Sequence, residues 1–299
     1  MDHRSSAAQA VPSWTAGWTV SWAAATPGVD RAIRPHSAQS QTGQQRPPDG
    51  DGVCPSPVTR ITSHETRVTS YGSPNMPAGC SAGNLPVMIS IAICTYNNAK
   101  KLAVALESLR DLTCPPGVSY EILVIDNNSR DETRDVVRQW QGAWGPRLRY
   151  VFEERQGLSH ARNRAWREAA GDIVSYLDDD VKVDSGWLTA VAAAFAEHAA
   201  AVVGGRSYLI YPSQRPAWLP EKYEILLSRL DHGAQVLVDT DRELFGVNFS
   251  VRKDWLDRVG GFDASLGRHR RSLSSGEERD LLQRIRARGG IAVYEPRAV

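Results

Sequence analysis

The chain has 299 residues, of which 41% are hydrophobic, so it holds enough apolar material for one large domain or two small ones. Its 35 basic and 34 acidic residues leave a formal net charge of +1, which gives no reason to expect nucleic acid as a partner. No stretch reaches the ~20 apolar residues that a membrane-spanning helix needs, and the first residues lack a signal-peptide core.

Residues 1–86 differ in composition from the rest of the chain. They hold ten of the seventeen prolines and no lysine, and such a segment buries too little apolar surface to offset its ordering entropy. We therefore predict disorder there. Trp14, Trp18 and Trp22 recur every four residues, either as chance aromatics or as a short helix that docks on a partner or a membrane. A further hypothesis is that the native protein begins near Met88 and lacks this extension.

From residue 87 onward, apolar runs alternate with helical stretches. The strand-like segments are VMISIAIC, YEILVID, LRYVFE and DIVSYLD. The segments AKKLAVALESLRDL, DETRDVVRQW, LSHARNRAWREAAG and SGWLTAVAAAFAEH follow them in turn, with apolar residues at helical spacing. This alternation predicts βαβ units, and the apolar strands predict a mainly parallel, Rossmann-like sheet with helices on both faces. We assign residues 87–299 to this one α/β domain.

Polar clusters stand directly after three of the predicted strands: TYNN at 95–98, DNNS at 126–129 and DDD at 178–180. In an open parallel sheet, ligands bind outside the carboxyl ends of the strands. One such cluster alone is also typical of turns and helix N-caps. Three in succession favour a binding site at one edge of the sheet.

The site lacks a glycine-rich phosphate loop, because neither GxGxxG nor GxxxxGK[ST] follows the first strand. A divalent cation is another way to hold a diphosphate, and carboxylate oxygens suit hard cations. Asp178 and Asp180 are separated by one residue, so in extended backbone their side chains point the same way. The pair predicts a Mn²⁺ or Mg²⁺ site in which the cation relieves the repulsion among three adjacent acids.

Several segments resemble the successive blocks of family-2 glycosyltransferases with the GT-A fold. They are ISIAICTYNNAKKLAVALESL, EILVIDNNSRDET, GLSHARNRAWREAAGDIVSYLDDDV and FGVNFSVRKDWLDRVGGFDASLG, followed by SGEERDLLQRIRARG. The resemblance implies transfer of a sugar from a nucleotide-diphosphate donor to an acceptor hydroxyl with inversion, in polysaccharide or glycan biosynthesis. It also implies a glycan or lipid-linked acceptor and peripheral association with the membrane.

The resemblance further implies the roles of individual residues. Asp126 would hydrogen-bond the base, Asp178 would approach the ribose or sugar, and Asp180 would ligate the metal. The full set expected around the donor is Thr95, Tyr96, Asn97, Asp126, Arg162, Asn163, Asp178 and Asp179. Asp179, between the other two acids, is expected to face away and to cap or pair locally. For Arg162 the residues alone leave an alternative, an exposed helix position paired with Glu168 or a neighbouring residue.

The general base that an inverting transfer needs is sought in SSGEERDLLQRIRARGG. This stretch predicts a helix with serine at the N-cap and glycine beyond its end. At ~100° per residue, Glu278 shares a face with the leucines and isoleucine and points inward, whereas Glu277 lies at the edge of that face and Asp280 points away. We predict Glu278 as the base, although the family pattern is Glu-Asp and glutamate adds a methylene. The alternative is that both acids only favour the helix dipole.

Other residues are candidates for the rest of the site. Asn248 and Glu277 are expected beside the donor sugar or the acceptor, with the small Gly246 nearby. The basic stretch RHRRS at 268–272 is either a lid over the diphosphate or a solvated loop. Trp218 either stacks on a sugar or packs in the core.

Two other functions stay open. A non-catalytic nucleotide-sugar-binding remnant is one, because the chain ends soon after its last predicted strand, whereas relatives continue into further helices. A haloacid-dehalogenase-type phosphatase also uses a DxD motif, but after its first strand. The four cysteines lack CxxC spacing, which favours reduced thiols in a cytosolic protein, with a Cys54–Cys80 disulfide as the alternative. The predicted location is the cytoplasm, at the inner face of the membrane.

Overall fold

A computed structural model describes residues 87–268 and 275–299. The predictions for residues 1–86, and for the part of the basic stretch from 269 onward, lie outside the described residues.

Eight strands form one mixed sheet within the described part of the chain. They are β1 (Val87–Thr95), β2 (Val118–Asp126), β3 (Leu148–Phe152), β4 (Ile173–Asp178), β5 (Val202–Gly205), β6 (Leu237–Val238), β7 (Asn248–Arg252) and β8 (Ala292–Glu295). Their order in the sheet is β3-β2-β1-β4-β7-β5-β8-β6. Periodicity predicted the four strands β1 to β4. Within this group the pairs β1–β2, β1–β4 and β2–β3 are all parallel, which confirms the predicted α/β architecture.

The second half of the sheet is mixed. Strand β7 runs antiparallel to both β4 and β5, β8 is parallel to β5, and β6 is antiparallel to β8. Periodicity did not single out β5, β6 or β7, because each is short and pairs with strands distant in sequence. The register sets the polar clusters level with each other, since Thr95 lies opposite Asp126 and Cys94 lies opposite Asp178.

Six α-helices flank the sheet in the described residues. They are α1 (Ala99–Ser108), α2 (Thr133–Trp144), α3 (Leu158–Glu168), α4 (Trp187–Glu197), α5 (Lys253–Val259) and α6 (Glu277–Arg286). None of these helices is long and apolar enough to cross a membrane. Gly260 caps the end of α5 with φ of 82°, a left-handed conformation that glycine adopts without steric penalty.

Two apolar cores lie on opposite faces of the sheet. One contains Leu102 of α1, Val137 of α2 and Trp187 of α4. The other contains Ala165 of α3 and Leu282 of α6. Helices therefore cover both faces, as the apolar strands predict. Because α3 and α6 share a face, residues more than 100 positions apart meet at the carboxyl edge of the sheet.

Candidate functional site

The three polar clusters meet at one edge of the sheet, as predicted. The backbone N–H of Asn97 donates to Ser129 Oγ at 2.9 Å, and the N–H of Arg130 donates to Asn97 Oδ1 at 2.7 Å. The N–H of Asn127 donates to the carbonyl of Thr95 at 2.9 Å. The loops after β1 and β2 are thus joined into one polar rim.

Asp179 joins the third cluster to the first. Its carboxylate accepts hydrogen bonds from Thr95 Oγ1 and Asn98 Nδ2, both at 2.6 Å. Burial raises the pKa of Asp179 to about 6, and the neighbouring Asp180 and Asp178 add to the rise against these two hydrogen bonds. The expectation that Asp179 faces away and pairs locally is wrong. Its carboxylate binds Thr95 and Asn98, at the end of β1 and in the loop that follows, so it connects two of the polar clusters.

Asp178 and Asp180 need a correction of a different kind. Strand β4 ends at Asp178, and residues 179 and 180 lie in a turn, so the alternation of an extended backbone does not align the two side chains. The two carboxylates still interact electrostatically: burial raises the pKa of Asp178, Asp180 and Glu278 raise it further, and Arg162 opposes the rise. Negative charge is therefore concentrated at the end of β4.

The Asp180 carboxylate faces a cation. Lys101 Nζ, from the first turn of α1, lies 3.1 Å from Asp180 Oδ2, and both side chains are about half exposed. An exposed pair of this kind contributes only about 0–1 kcal/mol. Sequence reasoning missed Lys101, although its position directly after the TYNN loop is a usable signal.

Arg162 is the centre of the buried part of the site. Its side chain is 3% exposed, and Nη1 lies 3.0 Å from Glu277 Oε1 and 2.7 Å from Glu278 Oε1. Nη2 lies 3.8 Å from Asp178 Oδ1. Burial alone would lower the pKa of Arg162, but the three carboxylates outweigh it and raise that pKa. The alternative of an exposed Arg162 paired with Glu168 is wrong, because Glu168 pairs with Arg149 and Arg164.

The burial of the two glutamates of α6 is the reverse of what the helical wheel predicts: Glu277 is the more buried and Glu278 the more exposed. The Glu277 side chain is 3% exposed and that of Glu278 is 18% exposed. Burial raises the pKa of Glu277, Glu278 raises it further and Arg162 opposes both. The cause is that Glu277 is the first residue of α6, where its direction depends on what lies beyond the helix end. The serine N-cap is also wrong, since Gly276 occupies that position with no side-chain hydrogen bond.

Gly246 leaves room for the ion pair. A methyl group at this position would overlap Glu278 Oε1 and Arg162 Nη2. The structure therefore places Gly246 against the candidate base, and its position beside the donor sugar or acceptor stays a prediction.

Asn163 and Asn248 are structural in this fold, contrary to the prediction that they contact donor or acceptor. Asn163 Nδ2 donates to the carbonyl of Phe262, and its Oδ1 accepts from the Phe262 N–H. Asn248 Oδ1 accepts from Trp187 Nε1, and its Nδ2 donates to the carbonyls of Arg206 and Ala298. Both amides already have buried partners for their oxygens and nitrogens.

The remaining predicted donor residues line the β1 and β2 loops. Tyr96 and Asn97 are exposed, whereas Asp126 is buried. Asp126 accepts from the Ser129 N–H at 2.8 Å and from the Tyr150 hydroxyl at 2.7 Å. Their roles toward a nucleotide stay predictions.

The surroundings of one tryptophan and two cysteines bear on further predictions from the sequence. Trp218 is 79% exposed, so the core-packing alternative for it is wrong. Cys94 lies beneath the site at the end of β1, and burial raises the pKa of its thiol to about 12, so the thiol stays protonated. Cys94 and Cys114 are both free thiols, as the absence of CxxC spacing predicts.

Similarity to known proteins agrees with this architecture. The family model described as glycosyl transferase family 2 matches residues 90–260, more than half of the chain. The chain is 29% identical over 178 residues to glycosyltransferase AglE of Haloferax volcanii, covering 60% of this chain and 57% of that protein. It is 28% identical over 216 residues to succinoglycan biosynthesis protein ExoM of Rhizobium meliloti, covering 72% of this chain and 66% of that protein.

A solved structure shares the fold. The mannosyltransferase PcManGT of Pyrobaculum calidifontis, determined with GDP-Man and Mn²⁺, superposes with a TM-score of 0.53 at 24% identity, covering 71% of this chain and 55% of that chain. The matches span less than two thirds of the length of these relatives. With the sheet order, the polar rim and the family match in agreement, the chain has the GT-A fold and belongs to glycosyl transferase family 2.

Proposed function

We propose that this protein transfers a sugar from a nucleotide-diphosphate donor to an acceptor hydroxyl with inversion at the anomeric carbon. The observation that supports this most directly is the half-buried Glu278, held by Arg162 within reach of the acidic end of β4. This arrangement puts a proton acceptor beside a cluster of carboxylates that can bind a cation and its diphosphate. Family membership supports the same reaction class.

Glu278 is the proposed general base. As the acceptor oxygen attacks the anomeric carbon, its proton passes to the Glu278 carboxylate, and a new carbon–oxygen bond forms. The bond from the anomeric carbon to the donor phosphate breaks, and its electron pair leaves with the nucleoside diphosphate. Attack from the face opposite the leaving group in one step inverts the anomeric centre. General base catalysis of this type contributes about 10²–10⁴-fold to a rate.

A divalent cation fits the carboxylates at the end of β4. The described residues contain no group of three or more His, Cys, Asp or Glu that could hold a metal ion alone, so an ion here would be held by one or two carboxylates together with substrate phosphates. Asp180 is the proposed ligand, because its half-exposed carboxylate already pairs with a positive group, the Lys101 ammonium. When bound, Mn²⁺ or Mg²⁺ would neutralise charge that develops on the leaving diphosphate.

The β1 and β2 loops are the proposed nucleotide site. Tyr96 and Asn97 present exposed side chains there, and the buried Asp126 carboxylate retains lone pairs beyond its bonds to Ser129 and Tyr150. A base N–H can donate to such a carboxylate.

We propose that the segment 207–230 binds a glycan or lipid-linked acceptor and contacts a membrane surface. The backbones of Ser207 and Leu230 pair and close this segment. It exposes large apolar side chains that usually mark a site of interaction when they are contiguous. They are Tyr208, Ile210, Trp218, Tyr223, Ile225, Leu226 and Leu227. A cytoplasmic location at the inner face of the membrane stays a prediction.

The rival functions differ in their support. The phosphatase alternative has none, because the acidic cluster follows the fourth strand of a chain that belongs to glycosyl transferase family 2. The non-catalytic binding remnant differs from the enzyme only in turnover. A panel of nucleotide sugars with Mn²⁺ or Mg²⁺, scored for release of nucleoside diphosphate, separates the two: binding of a donor without release would favour the remnant.

The metal proposal has its own test. In Asp180→Asn, we expect metal-dependent donor binding, measured by titration calorimetry with Mn²⁺, to weaken at least tenfold. Asp135→Asn is a matched control, since Asp135 also forms an exposed ion pair, with Arg138, but on α2. Unchanged metal-dependent binding in Asp180→Asn would overturn the assignment of this ligand.

A further inference from the structure

One buried guanidinium nitrogen serves both glutamates at the start of α6. Arg162 Nη1 donates to Glu277 Oε1 at 3.0 Å and to Glu278 Oε1 at 2.7 Å. Charge-assisted bonds of this length are among the stronger hydrogen bonds in proteins. The position of the Glu278 carboxylate is therefore tied to that of Arg162.

Glu277 lies too deep to contact a substrate. It is 2% exposed, and its carboxyl carbon lies close to Gly267, where an added Cβ would approach it to 3.3 Å. Its Oε2 atom is buried and has no hydrogen-bond partner among the residues that the structure describes. Because an unsatisfied buried carboxylate oxygen is costly, the fold retains Glu277 at the expense of stability, which points to a role through its other oxygen and Arg162.

The guanidinium is held from a further side by an aromatic ring. Arg162 lies over the Phe262 ring, with 5.5 Å between its Cζ and the ring centroid. Tyr176 packs edge-on against the same ring at 5.2 Å. Asn163, the next residue of α3, binds both backbone groups of Phe262. The arginine thus has one preferred position, set by α3, the 261–262 turn and α6.

We infer that Glu277 and Arg162 are positioning residues for Glu278: Glu277 fixes the guanidinium, and Arg162 holds Glu278 Oε1 so that Oε2 receives the acceptor proton. This inference rests on the proposed function. It replaces the expectation that Glu277 contacts a sugar. It also gives Asn163 a place, as the residue that fixes Phe262 beneath the guanidinium.

The kinetic test uses variants that change Arg162 or Glu277 and leave the proposed base, Glu278, in place. Arg162→Gln is expected to lower kcat about 100-fold, because a misplacement of about 1 Å costs that much. Glu277→Gln is expected to lower kcat about tenfold, and Arg162→Lys to recover part of the Arg162→Gln loss because it keeps the charge. The donor Kd, measured by calorimetry with Mn²⁺, and the donor KM should stay within about twofold of wild type, which separates positioning from binding.

Matched controls lie on the same two helices. Arg164→Gln removes a partly exposed pair with Glu168 on α3, and Asp280→Asn removes a first-turn acid paired with Arg284 on α6. Both should keep kcat within about twofold of wild type. If Glu277→Gln keeps wild-type kcat, or if its loss of kcat is matched by loss of folded protein at the assay temperature, the inference is overturned.

A second measurement is independent of turnover. In a crystal structure of Glu277→Gln, we expect the Glu278 carboxylate to move out of hydrogen-bond distance of Arg162 or to adopt more than one conformer. An unchanged contact between Arg162 Nη1 and Glu278 Oε1 would overturn the inference. Absence of turnover by the wild-type protein with every donor would instead count against the proposed function, and the crystallographic comparison would still decide the positioning role.

Discussion

The two ends of the sheet each bury a glutamate, and they treat it differently. At the amino end, Glu121 accepts from the Ser90 hydroxyl and the Ala170 N–H, both at 2.7 Å, and from Arg149 at 3.0 Å. At the carboxyl end, Glu277 has a buried oxygen without a hydrogen-bond partner in the described part of the chain, and it shares one arginine nitrogen with Glu278. A buried carboxylate with several hydrogen-bond donors joins parts of the fold. A group of carboxylates with too few donors points to a ligand or a reaction.

The contrast explains why burial alone does not identify the site. Glu121 ties β2 to the loop between α3 and β4, and the N–H of Gly171 completes that network by donating to Ser90 Oγ at 2.9 Å. The carboxyl end concentrates Asp178, Glu277 and Glu278 around Arg162. The following predictions test whether one end serves stability and the other serves function.

The largest expected effect is on turnover at the carboxyl end. Glu278→Gln removes the proposed proton acceptor while keeping the shape of the side chain, and kcat should fall by about 10²–10⁴-fold. Donor binding should persist, since Glu278 is not a proposed ligand of the nucleotide. Steady-state kinetics with the active donor and calorimetry of donor binding check the two parts. Equal turnover in wild type and variant would show that another group is the base.

The amino end should respond in the opposite way. Glu121→Ala leaves the buried Ser90 hydroxyl and Ala170 N–H without an acceptor, so we expect the free energy of unfolding to fall by about 2–3 kcal/mol. Turnover per folded molecule should not change. Urea denaturation gives the first quantity and active-site-normalised rates give the second. Glu107→Ala, which removes an exposed pair with Arg110, is the control and should change stability by less than about 1 kcal/mol.

Gly246→Ala tests the space between the base and its arginine. The added methyl group would overlap Glu278 Oε1 and Arg162 Nη2, so the pair must move apart. Overpacking of this kind costs about 1–3 kcal/mol of stability, and kcat should fall together with it. Gly142→Ala is a suitable control, because nothing lies within 4 Å of a Cβ at that position. Wild-type kcat in Gly246→Ala would show that Glu278 has room to adjust.

The smallest effect concerns a residue that joins two helix starts. Asp131 accepts from the Ala99 N–H at 2.9 Å and from the Thr133 N–H at 3.1 Å. Burial alone would raise the pKa of Asp131, but hydrogen bonds from Thr133 and Ala99 outweigh it and lower that pKa. Its stabilisation is therefore present above the unfolded pKa of about 3.9 and lost as pH falls through the lower folded value.

Asp131→Asn should cost about 1 kcal/mol at pH 7, as loss of a helix cap does. The difference from wild type should shrink as the pH falls below the unfolded pKa of about 3.9 toward the lower folded value. Urea denaturation at several pH values provides the measurement. A difference that stays constant with pH would mean that charge contributes nothing to this contact.

The sequence predicted the first half of the fold and the outline of the site. Strands β1 to β4 and helices α1 to α4 follow from local periodicity, and their carboxyl ends locate the polar clusters. Arg162 does meet Glu278 and Asp178, and Asp179 and Asp180 follow Asp178 at the end of β4. By contrast, Asn248 looked like a site residue, but its amide binds Trp187 and two carbonyls in the core, which no local pattern indicates.

What the sequence alone determined is the alternation of strands and helices, because apolar spacing is a local property, and the placement of acids at strand ends. Only the tertiary structure decided which glutamate of α6 is buried and which is accessible. The helical wheel applies within a helix, whereas Glu277 and Glu278 stand at its first turn and turn toward Arg162, over 110 positions earlier in the chain. Their directions follow from the packing of α3 and α6 on one face of the sheet, which no periodicity within either helix contains.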